Sequence, residues 1–176
     1  MDTIVAAATA KTLRYGFGRT KLGLALVAMS ETGVAAILFG DDAGKIRRDL
    51  RQIFPGAELV PDEAGLAPVI AEIADFVEAP RRGLDLPLDL CGSPLELAVW
   101  EALRAIPPGE TRSYGEVARS LPIPATAQEV GAACAANILA VAIPCHRLVK
   151  ADGSISGYRW GVWRKRRLIY LEGALA

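Results

Sequence analysis

Residues 93–137 read SPLELAVWEALRAIPPGETRSYGEVARSLPIPATAQEVGAACAAN, and this stretch decides the fold of the second half of the chain. Ser93 followed by Pro94 is a helix start: the serine hydroxyl accepts a first-turn N–H, and proline has no N–H to lose there. A helix is therefore expected over Pro94–Ala105. Pro107-Pro108-Gly109 ends it, because neither residue type sustains a helix. Ser113 caps the next, over Tyr114–Ser120, and Pro122 and Pro124 force a break before Thr126 opens a third that ends at Ala136. Helix, tight connection, helix is the helix-turn-helix pattern, although bundles of every function contain it.

The third helix is informative for what it lacks. Helical spacing turns Ala127, Val130, Gly131 and Cys134 inward and leaves Gln128, Glu129, Ala132, Ala135 and Ala136 outside. That outer face has almost no bulk. A helix that reads the major groove carries long Arg, Asn or Gln side chains. A face of alanine suits close approach to a narrow minor groove or, equally, to another helix.

Upstream of Ser93 the texture is different. After a small-residue leader (residues 1–10), Thr12–Phe17, Leu22–Met29 and Val34–Phe39 read as strands of a small antiparallel sheet, with Ser30–Gly33 as a turn. Asp41 or Asp42 caps a helix that runs to Phe54 and stops at Pro55-Gly56; a second helix spans Leu66–Glu78. Ala79–Leu90, with two prolines and a glycine, reads as a linker, so one domain is expected over residues 1–90 and another over 91–176. Downstream, Asn137–Pro144 reads as loop or strand, Cys145–Lys150 as a turn and short strand, and Val162–Glu172 as a final helix. The class is α+β, a small sheet with helices followed by a mainly helical part.

With 176 residues, 52% of them hydrophobic, the chain is long and apolar enough to bury a core. No apolar run approaches the roughly eighteen residues of a membrane span, and no secretory pattern opens it. The three cysteines, Cys91, Cys134 and Cys145, are odd in number and lack C-x-x-C spacing, which argues against a disulfide framework or a zinc site. A reducing, cytoplasmic setting is expected. The charges balance overall, yet the stretch from Arg147 to Arg167 holds seven Lys or Arg against Asp152 alone. Such a run is either a polyanion footprint or a solvated face.

The only histidine, His146, directly follows Cys145 in Ile143-Pro144-Cys145-His146-Arg147. A thiol with an ordinary pKa near 8.5 is mostly protonated at neutral pH, and an imidazole together with Arg147 and Lys165 would favour the thiolate. Adjacent side chains diverge in regular structure, so a working couple needs a turn, which Pro144 helps to supply. The pair reads either as a nucleophile with its base or as a structural cysteine beside a hydrogen-bonded histidine.

Four ordered blocks break that tie. Val99-Trp100 with Ile106-Pro107-Pro108-Gly109-Glu110-Thr111 and Ser113-Tyr114, then Ala133–Asn137, then Ile143–Arg147, and lastly Ser156-Gly157-Tyr158-Arg159-Trp160-Gly161 closely resemble the O6-methylguanine-DNA methyltransferase family. The likeness is nearest to the transferase domain at the C-terminal end of bacterial adaptive-response regulators. The regulators' zinc-binding and transcription-factor portions have no counterpart in these residues. A weaker likeness over residues 12–78 implies a ribonuclease-H-like sheet, and that over residues 93–173 a winged helix-turn-helix-type domain.

The resemblance implies single-turnover transfer of an alkyl group from O6 of guanine to Cys145. His146 would deprotonate the thiol through a water, with Glu172 orienting the imidazole. Tyr114, aided by Lys165, would supply a proton to the departing base. Tyr158 would form a pocket wall, the backbone N–H of Arg159 would contact O6, and the main chain at Cys145 and Leu148 would accept from the guanine amino group. Asn137 matches a hinge residue that ties the recognition helix to the active-site loop. Thr126, Ala127, Gln128, Ala132, Ala135 and Arg147 fall on the expected DNA face, while Cys91 and Cys134 match no nucleophile and are expected to be buried small hydrophobes. The implied partner is double-stranded DNA carrying O6-alkylguanine, met by a monomer whose helix lies in the minor groove beside a flipped nucleotide. No metal, organic cofactor or membrane is implied.

The sequence departs from the family at one place. The family's arginine nine residues before the hinge asparagine is Gln128 here, and Glu129 follows it, so weaker DNA binding is expected. Two rival readings stand beside the transferase: a non-catalytic sensor of alkyl lesions, and a cysteine hydrolase built on Cys145, His146 and Glu172.

Overall fold

Three apolar runs separated by polar turns open the fold. β1 (Thr12–Thr20), β2 (Gly23–Met29) and β3 (Val34–Gly40) form an antiparallel meander, with Tyr15 opposite Ala28 and Val27 opposite Ile37. The computed structural model describes residues 12–173, and the leader at residues 1–10 lies outside them. β3 is buried from Val34 to Phe39, which is why it reads as a continuous apolar run: both of its faces are covered.

A fourth strand that the sequence reading lacks, β4 (Glu58–Pro61), adds to β1 in parallel, with Thr12 opposite Glu58, and gives the order β3-β2-β1-β4. Its four residues do not alternate, and they end on a proline, which a ladder tolerates only at an edge.

Two helices cover this sheet. α1 (Ala43–Ile53) is capped by Asp42, which accepts from Lys45 N at 2.8 Å. α2 (Glu63–Glu78) begins three residues before Leu66 because Asp62 accepts from Gly65 N at 2.9 Å and starts it there. Leu66, Ile70, Ile73, Phe76 and Val77 are its buried residues. It lies so near the sheet that a Cβ on Gly18 would overlap the Ile70 side chain.

The second half begins with α3 (Pro94–Arg104), α4 (Tyr114–Ser120) and α5 (Ala127–Ala135). Each starts at a complete capping box, Ser93 with Glu96, Ser113 with Glu116 and Thr126 with Glu129. This reciprocal pairing satisfies two otherwise orphaned N–H groups per helix. Trp100 Nε1 donates to Ala133 O at 2.9 Å and ties α3 to α5. A short parallel pair, β5 (Arg112–Ser113) and β6 (Leu148–Val149), and the last helix, α6 (Val162–Leu171), complete the fold. Ala105, Ala136 and Glu172, expected as helical residues, are the C-caps of α3, α5 and α6.

The face of α5 needs one correction. Val130 and Ala133 are the residues it buries, with Gly131 and Cys134 half-buried, whereas Ala127, expected inside, is exposed. Ala127 is the first residue after the cap, and the helix turns toward the core only one turn later.

The outer edge of β3 is covered, and this positions the site. Val34 N donates to Pro87 O and Asp89 N to Val34 O, both at 2.8 Å; further along, Ile37 N donates to Ile138 O at 2.9 Å and Ala140 N to Ile37 O at 3.1 Å. An exposed sheet edge invites pairing, and here the residues before α3 and those after α5 take it. The loop that leads to Cys145 is thereby hydrogen-bonded to the sheet. Arg164 adds a second clamp, its Nε donating to Leu22 O at 2.7 Å and its Nη2 to Asp41 at 2.8 Å. Buried apolar side chains from Leu13 to Leu168 form one continuous cluster.

Candidate active site

Cys145, His146 and Arg147 form one short 3-10 turn after Pro144, so the adjacent side chains diverge to different partners. Asn137, fully buried just beyond α5, holds this turn from behind. Its Nδ2 donates to Ile143 O at 3.0 Å and to Cys145 Sγ at 3.3 Å, and its Oδ1 accepts from Leu139 N at 2.8 Å. Between these anchors Val141 has a φ of 63°, a conformation that a β-branched residue adopts only under constraint, at a cost of about 1–3 kcal/mol. The bond from Ala140 N to Ile37 O and that from Ile143 N to Leu139 O bracket the strained residue. The expected hinge residue is thus a fixed strut between α5 and the cysteine.

His146 is wholly buried, and its Nε2 lies 2.7 Å from Glu172 Oε1. Arg147 faces the same carboxylate: Nη2 donates to Oε1 at 2.9 Å, Nε to Oε2 at 3.2 Å, and Nη1 to Ile106 O at 2.6 Å. With the carboxylate ionised, Nε2 carries the proton and Nδ1 is left as the acceptor. Nδ1 has no hydrogen-bond partner among the described residues.

The charges follow from burial. Burial alone would push the Glu172 carboxyl up, but its contacts with His146 and Arg147 outweigh that and hold it below its ordinary value. Burial pulls His146 down, with the positive charges of Arg147 and Lys165 adding to the effect against Glu172, so the imidazole is neutral and basic at neutral pH. Burial pushes the Cys145 thiol up despite the Asn137 amide and the Lys165 and Arg159 charges. Lys165 favours the thiolate as expected, but Arg147 is turned to Glu172 and burial outweighs the cations, so the thiol waits protonated for a base.

A cavity of about 370 Å³ opens onto the thiol, lined by Tyr114, Gly131, Cys134, Ala135, Cys145, Gly157, Tyr158 and Arg159. Tyr158 is half-buried, its ring meeting Trp160 edge-on at 5.2 Å, and its hydroxyl is buried without a hydrogen-bond partner among the described residues. The Arg159 guanidinium donates to Ala135 O at 3.1 Å, drawing its loop against the end of α5. Leu148 is buried outside this lining, and its N–H donates to the Cys145 carbonyl. Cys91 and Cys134 are both partly exposed rather than buried, and Cys134 is a wall of the cavity.

The sequence reading missed Ser156. Its hydroxyl lies 2.5 Å from Tyr114 Oη and accepts from Lys165 Nζ at 2.8 Å, joining two residues expected at the site. It stands at the start of the Ser156–Gly161 block, which was the available signal.

On the outer side, Thr126, Ala127, Gln128, Ala132 and Ala135 are exposed along α5, and Ala135 also reaches the cavity, so the small-residue face and the cavity mouth are continuous. Two corrections apply to the charge. Arg147, expected to touch DNA, is 5% exposed and its guanidinium points inward. Of the seven Lys and Arg between Arg147 and Arg167, Arg147, Arg164 and Lys165 are buried, which leaves Lys150, Arg159, Arg166 and Arg167 as the exposed charges. Among the described residues, no three His, Cys, Asp or Glu side chains come together as metal ligands would.

The DNA-binding domain model of 6-O-methylguanine DNA methyltransferase matches residues 94–174. The chain is 44% identical over 160 residues to the bifunctional transcriptional activator/DNA repair enzyme Ada of Escherichia coli, covering 91% of this chain and 45% of that protein. It is 41% identical over 122 residues to the inducible methylated-DNA–protein-cysteine methyltransferase of Bacillus subtilis, covering 69% of this chain and 68% of that one. Among solved structures, the O6-methylguanine methyltransferase of Mycobacterium tuberculosis superposes with a TM-score of 0.75 at 29% identity, covering 93% of this chain and 94% of that one. The Mycobacterium tuberculosis OGT in complex with DNA gives 0.74 at the same identity, covering 93% of each chain. The chain spans 45% of the length of its Escherichia coli and Salmonella typhimurium relatives.

Proposed function

The chain belongs to the O6-methylguanine-DNA methyltransferase family, and on that premise we propose that it repairs alkylated DNA by direct reversal, moving an alkyl group from O6 of guanine onto Cys145. The observation that carries this reading is the environment of the thiol. Cys145 lines the cavity, burial holds its neighbour His146 neutral with Nε2 fixed on Glu172, and Nδ1 has no hydrogen-bond partner among the described residues.

In this reading the thiol proton passes to Nδ1 through a bridging water, and Sγ attacks the alkyl carbon. An S–C bond forms, the C–O6 bond breaks, and the electron pair leaves with guanine. Negative charge grows on the departing base, so a donor placed there lowers the barrier in the transition state rather than in the ground state. Tyr114, on the cavity wall, supplies that proton to a ring nitrogen. The product is a thioether with no good leaving group, and nothing in the site can restore the thiol. Each molecule therefore acts once.

The lesion reaches Sγ only outside the base stack. The alanine face of α5 runs up to the cavity mouth and fits a minor-groove approach, with Gln128 filling the space that the flipped nucleotide leaves. We further propose that the protein acts as a monomer in a reducing, cytoplasmic compartment, which its three free cysteines suit. The test is a titration of duplex containing O6-methylguanine with protein. Restored guanine equal to the protein added, with no later turnover, supports the reading; continued release of product over many equivalents refutes it.

A further inference from the structure

We propose that Ser156 is a positioning residue for the leaving group: its hydroxyl, held between Lys165 and Tyr114, aims the Tyr114 proton at the departing base and resupplies it from Lys165. This rests on the reading of Tyr114 as the donor to that base.

The argument is one of proton counting. An ammonium has donors only, and a serine hydroxyl has one proton and two lone pairs. Ser156 Oγ therefore accepts from Lys165 Nζ at 2.8 Å and keeps its own proton for another acceptor. Tyr114 Oη lies 2.5 Å away. With the Ser156 proton on that contact, the Tyr114 proton is turned from Ser156 toward the cavity that Tyr114 lines.

Lys165 reaches Tyr114 through this serine. Among the described residues the hydrogen bonds of Lys165 Nζ go to Ser156 Oγ and, at 3.4 Å, to Gly157 O. Its approach to Tyr114 is a ring contact 5.9 Å from the centroid. As the C–O6 bond breaks, the Tyr114 proton moves to the base nitrogen, the Ser156 proton to Tyr114 and a Lys165 proton to Ser156. One N–H bond forms on guanine, one is lost on Lys165, and both hydroxyls end as they began. Burial already pulls the Lys165 ammonium below its ordinary pKa, which favours its part as the source.

The experiment compares the wild type, Ser156→Ala, Ser156→Thr and Tyr114→Phe in single-turnover methyl transfer. Two duplexes are used, one with O6-methylguanine and one with its 3-deaza analogue, in which carbon replaces N3, the ring nitrogen taken as the acceptor of the Tyr114 proton. Ser156→Ala is expected to slow transfer from the normal lesion by about 10–100-fold, up to the lower end of a full general-acid contribution because Tyr114 itself remains, with the Kd for the lesion duplex unchanged. Ser156→Thr restores the rate, and on the 3-deaza lesion the alanine variant matches the wild type. Ser156→Gly gives the same comparison if alanine disturbs the loop. A Ser156→Ala rate equal to wild type, with Tyr114→Phe slow, overturns the role of Ser156 alone. Equal rates for both variants overturn the role of Tyr114 beneath it. An equal slowing by Ser156→Ala on both lesions makes the serine merely structural and also overturns the proposal.

Discussion

The guanidinium of Arg147 closes on both oxygens of the Glu172 carboxylate, at 2.9 and 3.2 Å, in the protein interior. The family likeness put Arg147 on the expected DNA face, and the geometry makes it the support of the residue that orients the base. Removing one partner of a buried pair leaves the other charge stranded, at a cost of roughly 3–5 kcal/mol. Arg147→Ala is expected to lose about that much stability in denaturant titration, while the salt dependence of DNA binding by the folded variant stays as in the wild type. A salt slope lower by about 0.9 would return Arg147 to the phosphate backbone.

The pH profile follows from burial. His146 is held below its ordinary value and Cys145 above its own, so neutral imidazole beside protonated thiol prevails across the neutral range. The single-turnover rate is expected to be flat from about pH 6.5 to about pH 8.5, with the acid limb below the ordinary histidine range. A rate rising tenfold per pH unit across that window would mean that solvent makes the thiolate without His146. Stability carries the matching sign. The unfolded chain binds a proton at His146 before the folded one does, so this contribution is full above pH 6.5 and is lost as the pH falls through that value toward the lower folded pKa. Glu172, also lowered from its ordinary 4.5, adds a second loss below that pH. Urea midpoints measured against pH would show both.

On α5 the two neighbouring residues at the departure from the family behave differently. Gln128 is exposed, and Gln128→Arg is expected to tighten binding to alkylated duplex and to steepen the salt slope by about 0.9 for one added phosphate contact. Unchanged affinity and rate would refute this. Glu129 accepts from Thr126 N at 2.7 Å, so its charge is drawn back onto the helix start. Glu129→Ala should relieve repulsion from DNA and cost about 1 kcal/mol of stability through the lost cap.

Asn137 satisfies three groups at once, and truncating it strands the Leu139 N–H in the interior and takes one donor from the Ile143 carbonyl, which keeps its bond from Cys145 N at 2.8 Å. Each buried unsatisfied group costs about 1–3 kcal/mol. Asn137→Ala is expected to unfold at distinctly lower denaturant and to react more slowly, because its amide ties Cys145 to the end of α5. Wild-type stability in this variant would show that the loop repairs itself.

How much of this was legible in the sequence depended on how local the cause was. The helices of the second half were readable because Ser93, Ser113 and Thr126 each pair with a glutamate three residues on, a purely local device. β4 was not, because a four-residue edge strand ending in Pro61 is defined by its partner β1 some forty-five residues earlier. The start of α2 was placed too late because Asp62 was not taken as a cap. At the site, motif order singled out Cys145 and His146, the wider resemblance offered Glu172, and the structure brings the last two together. The direction of a side chain is a tertiary property: Arg147 turns inward, Ala127 outward, and Ser156 joins Tyr114 to Lys165 only once the loop has folded over α6.

The most direct measurement is the mass of the Cys145 peptide after the protein has met duplex DNA containing one O6-methylguanine. The expected result is one methyl group per protein molecule, carried on Cys145 and abolished by Cys145→Ser. A methyl group on Cys134 or Cys91, or tight lesion binding that leaves every cysteine unmodified, would contradict Cys145 as the acceptor.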